Sequence, residues 1–120
     1  GMLCAMSDVL KSLYQTIQER KTADPENSYV AKLYARGPAK IAQKLGEEAV
    51  EMVIEAIRLA EKPSSAKRRE ALKDEAADLL FHYLVVLGQN DIKPEEILAI
   101  LESRMGTSGL EEKQNRSANQ

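Results

Sequence analysis

From Pro38 to Leu87 the chain carries two long runs with apolar residues at helical spacing, separated only by the breaker Lys62-Pro63-Ser64-Ser65. Two helices of that length joined by so short a break pack side by side and antiparallel. This hairpin constrains the fold more than any other feature. Pro38 suits the first position of a helix, because its missing N–H would be unpaired there anyway. The first helix is expected to run to about Glu61, and its partner from near Ala66 to about Leu87.

The first of these helices has an unusual face. At about 100° per residue, with Glu47 as zero, Glu51 falls at about 40°, Glu48 at about 100° and Glu55 at about 80°. Lys40 and Lys44 fall at about 20° and about 60° on the same scale. All of them share roughly a quarter of the circumference, and Ile41, Leu45, Val50, Met52, Val53, Ile54 and Ile57 occupy the remainder. An ordinary amphipathic helix exposes about half of itself. A charged stripe this narrow is expected to be flanked by buried surface and to face a groove. The second helix carries a matching feature in "DEAADLLFHYLVVL": Glu75 and Asp78 are about 60° apart, with His82 between them one turn on. Leu79, Leu80, Phe81, Leu84 and Val85 surround them.

Each helix of the hairpin therefore offers an acidic pair at i, i+3, Glu48/Glu51 and Glu75/Asp78, amid apolar neighbours. A carboxylate taken out of water loses several kcal/mol of hydration and must be protonated or met by positive charge. Lys40 and Lys44 cannot neutralise Glu47, Glu48, Glu51, Glu75 and Asp78 together. A hard divalent cation makes up the difference, and all-oxygen ligation points to Mg²⁺ or Mn²⁺ rather than zinc. The bland alternative is a solvated face of Glu–Lys pairs; the second acidic pair, on an equally apolar helix, weighs against it. A di-iron bundle expects Glu-x-x-His on two helices, whereas His82 follows Asp78 by four and is the only histidine.

The rest of the chain agrees with an all-α bundle of four to five helices. With no Trp and aromatics at 4%, the core of this 120-residue chain must come from Leu, Ile, Val, Ala and Met, a mixture that favours helices. Ser7 is a plausible cap for a first helix to about Arg20, with Val9, Leu10, Leu13 and Ile17 on one side. "TADPENS" (Thr22 to Ser28) reads as loop. Ser28 suits the cap of a short helix closed by Gly37, and Pro94 opens a last helix. The expected domain spans 7–105. Residues 1–6 are expected to be loose, with Gly1 a cloning remnant, and 106–120 to be a disordered polar tail. A net charge of -2 gives no footprint for nucleic acid, and no apolar run approaches the roughly 18 residues of a membrane span. "MLCAM" (Met2 to Met6) is too short for a signal-peptide core. Cys4 stands alone, which fits a reducing, cytoplasmic setting.

"EExxE" followed by "ExxD" on a helical hairpin resembles the all-α nucleotide pyrophosphohydrolases related to MazG. "SYVAKLYARGPAKIAQKLGEEAVEMVIEA" with "DEAADLLFHYLVVL" is similar to the phosphoribosyl-ATP pyrophosphohydrolases of histidine biosynthesis, over about Leu10 to Arg104. The resemblance implies hydrolysis of phosphoribosyl-ATP to phosphoribosyl-AMP and pyrophosphate with Mg²⁺, by a homodimer. Glu48, Glu51, Glu75 and Asp78 would be metal ligands, with Glu47 completing the cluster or orienting the attacking water. Lys40 and Lys44 would meet phosphate oxygens. Arg20 and Lys21 could reach the 5′-phosphate of the phosphoribosyl arm, and Ser28 and Tyr29 could touch substrate or serve as cap and packing residue. His82 and Arg104 are left open. The zinc-ligand pattern of the cyclohydrolase that acts next is missing, so the chain reads as monofunctional. The competing functions are a housecleaning nucleoside triphosphate pyrophosphohydrolase, which would lack the arm-binding basic residues, and a non-catalytic helical dimer with an acidic stripe for a basic partner.

Overall fold

The computed structural model describes residues 2–106, with side chains from Asp8 onward. Among these residues there are five helices and no strand: α1 (Met2–Arg20), α2 (Tyr29–Arg36), α3 (Pro38–Glu61), α4 (Ala66–Gln89) and α5 (Pro94–Met105). The expected all-α architecture is what the chain adopts. Helix α1 starts at Met2 rather than at the Ser7 cap, because Leu3, Ala5 and the two methionines are good helix formers. The polar tail lies, from residue 107, outside the described residues.

Local chemistry sets the junctions. The Ser28 hydroxyl accepts from the Ala31 N–H at 3.2 Å and so caps α2. Gly37, at φ +91°, ends it, and its N–H reaches the Tyr34 carbonyl. That backbone conformation is one that side chains resist, and it lets α3 begin at the very next residue. Ser65 caps α4 through the Arg68 N–H at 3.1 Å. Arg68 Nη1 then donates to the Arg58 carbonyl at 2.7 Å, closing the α3–α4 turn. Arg58 meets Arg68 and, further along, Glu51 approaches Glu75, the pairing of an antiparallel hairpin. At the far end of α4, Asp91 takes a positive φ of 54°, and the Lys93 N–H donates to the Glu96 carboxylate at 2.7 Å to start α5.

The core sits at one end of the hairpin. Tyr14 and Ile17 of α1, Val30 and Leu33 of α2, Ile41 of α3, and Leu84, Val85 and Leu87 of α4 are buried together. Gly88 lets α1 and α2 approach α4 closely: a Cβ there would lie 2.7 Å from the Tyr34 hydroxyl, which donates to the Val85 carbonyl at 2.8 Å. The turn end has no such cover. Val50, Val53, Ile54 and Ile57 on α3 are between 49% and 59% exposed, and Leu80 on α4 is 43% exposed. The expectation that apolar contacts flank the acidic stripe over most of α3 is therefore not met within one chain. Helix α2 has only eight residues and α1 packs on α2, α4 and α5, so among the described residues the turn half of α3 packs along α4.

Leu84 is 1% exposed at the centre of the core. Leu84→Ala should cost about 2–5 kcal/mol, measured as a shift in the urea midpoint with little change in slope.

Candidate active site

The carboxylates sit on the mid-portion of the hairpin, with α3 contributing Glu47, Glu48 and Glu51, and α4 contributing Glu75 and Asp78. Oxygens of Glu48, Glu51 and Glu75 all lie within 4.8 Å of one another. Glu48 is buried, Glu75 half-buried and Glu51 exposed. Asp78 is outside this triplet and exposed; its charge nonetheless acts on both Glu48 and Glu75.

Electrostatics show what this proximity costs. Burial, a hydrogen bond with Glu51 and the charges of Glu51, Glu48 and Asp78 push the Glu75 carboxyl up to about 7. Glu48 is raised by the same kinds of cause, burial first, with His82 opposing. With its carboxyl near 7, Glu75 holds a proton part of the time at neutrality. Glu48 Oε2 and Glu75 Oε2 are buried with no hydrogen-bond partner. Buried acceptors are normally satisfied. Two orphaned anionic oxygens beside a third carboxylate form the donor set that a hard divalent cation takes.

Around the triplet lies a supporting layer. The Lys44 ammonium stands 3.3 Å from Glu47 Oε2 and 3.9 Å from Glu48 Oε1, and its hydrogen bond to Glu47 raises its pKa. Gln43 donates to Glu47 Oε1 at 2.7 Å; that bond and Lys44 hold Glu47 below the usual carboxylate range. Gln43 went unnoticed in the sequence, although its place four residues before Glu47 was the available signal. His82, also buried, lies with Nδ1 2.8 Å from the Asp78 carbonyl and Nε2 2.8 Å from the Tyr29 hydroxyl. A carbonyl only accepts, so Nδ1 carries a hydrogen toward Asp78 and Nε2 is left to pair with the Tyr29 hydroxyl. The half-exposed Tyr29 ring also packs against Phe81 at 6.1 Å. Burial foremost, and then the charge of Glu48, raise the Tyr29 pKa against the pull of Lys44. Tyr29 thus stands at the cluster's edge beside Lys44.

The remaining sequence candidates lie elsewhere or have other tasks. Lys40 is close enough to act on Glu47. Ser28 is buried as the α2 cap. Lys21 donates to the Gly88 carbonyl, lies 3.4 Å from Asp91 and sits 5.4 Å over the Tyr34 ring. From Gly88 to Asp78 is about 15 Å along α4 at 1.5 Å per residue, so Lys21 is anchored at the far end of that helix. Its ammonium is drawn there by the Gly88 carbonyl and by the negative end of the α4 dipole. Arg20 is exposed at the end of α1, and Arg104 half-buried in the last turn of α5.

A carboxylate cluster of this kind on an all-α hairpin is suited to a hydrolase working through a divalent cation. The family profile for phosphoribosyl-ATP pyrophosphohydrolase matches residues 10–105. A phosphoribosyl-ATP pyrophosphatase of Cereibacter sphaeroides is 49% identical over 108 residues, covering 90% of this chain and 97% of that protein. Those of Azospirillum brasilense (49% over 110 residues, 92% of each chain) and a Jannaschia species (50% over 107 residues, 89% of this chain and 97% of that protein) are similarly close. The chain belongs to the phosphoribosyl-ATP pyrophosphohydrolase family.

The raised carboxyl pKa gives a stability signature. Unfolded, Glu75 titrates near its ordinary value of 4.5; folded, at about 7. Between these the folded state holds a proton that the unfolded state has released, so stability falls as pH rises through that window. Metal-free protein should melt lower at pH 8 than at pH 5, and Glu75→Gln should flatten the difference. Mg²⁺, which competes with the proton, should raise the melting temperature more at pH 8 than at pH 6.

Proposed function

We propose that the chain hydrolyses phosphoribosyl-ATP to phosphoribosyl-AMP and pyrophosphate in histidine biosynthesis. One observation carries the reading: Glu48 and Glu75 each hold a buried, partnerless oxygen in a triplet with Glu51 whose carboxylates come within 4.8 Å of one another, in a chain whose relatives are named for this reaction. Glu48, Glu51 and Glu75 would hold Mg²⁺, or Mn²⁺, with Asp78 beside them on α4. When bound, that ion offsets charge on phosphate oxygens and lowers the pKa of a coordinated water.

The chain's own residues supply the rest. Lys44 and Lys40 lie on the same stripe and meet phosphate oxygens as point charges. Glu47, held anionic by Gln43 and Lys44, accepts a hydrogen bond from the attacking water and orients it; its lowered pKa makes it a weak base. Tyr29 presents its exposed ring edge to the nucleotide. His82 fixes Tyr29 and, through the Asp78 carbonyl, that turn of α4. The setting that suits such an enzyme, with one cysteine, is the cytoplasm.

The active form in this proposal is a homodimer. Val50, Val53, Ile54 and Ile57 lie exposed on one stretch of α3. A separate groove between α3 and α4, lined by Leu45, Met52, Leu79, Leu80 and Tyr83, is almost wholly apolar. Exposed apolar surface of this extent marks an interface, and a second copy offers the same surface in return.

Glu51→Gln should lower turnover by about 10²-fold or more, the scale of losing one electrostatic contact to the transition state, with helicity intact by circular dichroism. EDTA should stop pyrophosphate release from phosphoribosyl-ATP and Mg²⁺ should restore it. Preference for dCTP, dUTP or ITP would instead indicate the housecleaning activity. Sedimentation should give a dimer that Val53→Asp dissociates; a monomeric wild type would remove the assembly proposal.

A further inference from the structure

The polar stripe of α3 continues past the carboxylates. On the same scale, with Glu47 as zero, Arg58 falls at about 20°, in the arc of Glu51 and Glu55, and Lys62 follows as the residue that ends the helix. Opposite them on α4, Ala71 precedes Glu75 by one turn and Arg68 lies almost another turn back. With Ser65, Lys67 and one carboxylate, Glu55, these side chains line a cavity of about 400 Å³ at the turn end of the hairpin. At about 1.5 Å per residue, Arg58 stands about 10 Å from Glu51 along the helix axis.

The cations of this cavity fall into two sets. Arg58 Nε lies 4.0 Å from Glu55, and Arg68 bonds the Arg58 carbonyl and lies 3.7 Å from Glu61; both help to close the turn. Among the described residues, Lys62 and Lys67 have no carboxylate at pairing distance. The Ser65 hydroxyl accepts from the Arg68 N–H and still has its own proton to donate.

We infer that this cavity holds the 5′-phosphate of the substrate's phosphoribosyl arm, an inference that rests on the reaction proposed above. That substrate carries anionic groups at both ends, a triphosphate and a phosphate monoester, with a purine and two riboses between them. The groove carries charge in a matching order: Lys40 and Lys44, then the carboxylates that take the cation, then Arg58, Lys62, Lys67 and Arg68. A triphosphate anchored at the carboxylates leaves the monoester to be met further along the same groove. Of the other basic candidates, Lys21 is committed at the opposite end of α4, and Arg20 lies beside it in sequence, exposed at the end of α1. A polyanion such as nucleic acid fits less well, since the neighbouring carboxylates repel any phosphate that brings no cation.

The probe is ribose 5-phosphate, titrated into ¹⁵N-labelled full-length protein with Mg²⁺ present. Saturable amide shifts are expected at Ala66, Lys67 and Arg68, and should vanish in the Lys62→Glu/Lys67→Glu variant. The same variant should raise KM for phosphoribosyl-ATP about tenfold or more, with the smaller share of the loss in kcat. Lys62→Ala/Lys67→Ala should move both readouts in the same direction, which separates lost charge from a damaged turn. A wild type that hydrolyses phosphoribosyl-ATP but shows no shift at these amides, or a KM within about twofold across the variants, overturns the cavity assignment alone. A wild type with no such hydrolysis overturns the reaction, and the arm assignment with it.

Discussion

Three carboxylates from two helices face one another across a groove that α3 and α4 cannot close without desolvating them, and the rest of the molecule is arranged around that repulsion. Glu75 sits near neutrality in its titration and Glu48 is raised, so in the absence of a cation the hairpin works against itself. Its antiparallel pairing is held from the ends. One end is the core of Ile17, Leu33, Ile41, Leu84 and Val85; the other is the Arg68 bond to the Arg58 carbonyl and the Ser65 cap. Between these clamps the mid-hairpin tolerates like charge because its backbone is already fixed on either side.

This division explains where the apolar surface went. Helices α1 and α2 pack at the core end, and the turn half of α3 keeps its valines and isoleucines in the open. Replacing them with polar residues would solubilise one copy. Keeping them makes sense if a second copy supplies the missing layer, and an apolar wall there would lower the dielectric around the carboxylates. Ions bind more strongly in such surroundings than in open water, so assembly and cation affinity would rise together.

Much of this was legible in the chain. Ser28, Gly37, Pro38, Ser65 and Pro94 mark helix ends by chemistry that acts within a few residues, and four of the five helices begin where those residues place them. Convergence of Glu48 and Glu51 with Glu75 was also readable, because a tight hairpin leaves its two inner faces few ways to meet. What could not be read depends on distance in space. Asp78 falls outside the triplet because a 60° offset on α4, harmless on a helical wheel, turns its carboxylate toward solvent. Lys21 looked like a phosphate ligand from sequence, since nothing local shows that the Gly88 carbonyl lies beside it. The start of α1 was misplaced for another reason: a serine can cap a helix, but it does not have to when the residues before it are themselves helix formers.

The order of charges along the groove connects the fold to its chemistry. A helix repeats a stripe every three or four residues, so one face of α3 can carry lysines, then glutamates, then an arginine over its length, with Lys62 just past its end. Antiparallel α4 brings its own acidic and basic segments alongside in the same order, because Glu75 must oppose Glu51 once Arg68 opposes Arg58. One register therefore sets every charge in the site. A slip of a single residue at the Lys62–Ser65 turn would rotate Glu75 by about 100° away from its partners and carry Lys67 and Arg68 with it. The turn that looks like a mere connector is what keeps the carboxylates in reach of each other.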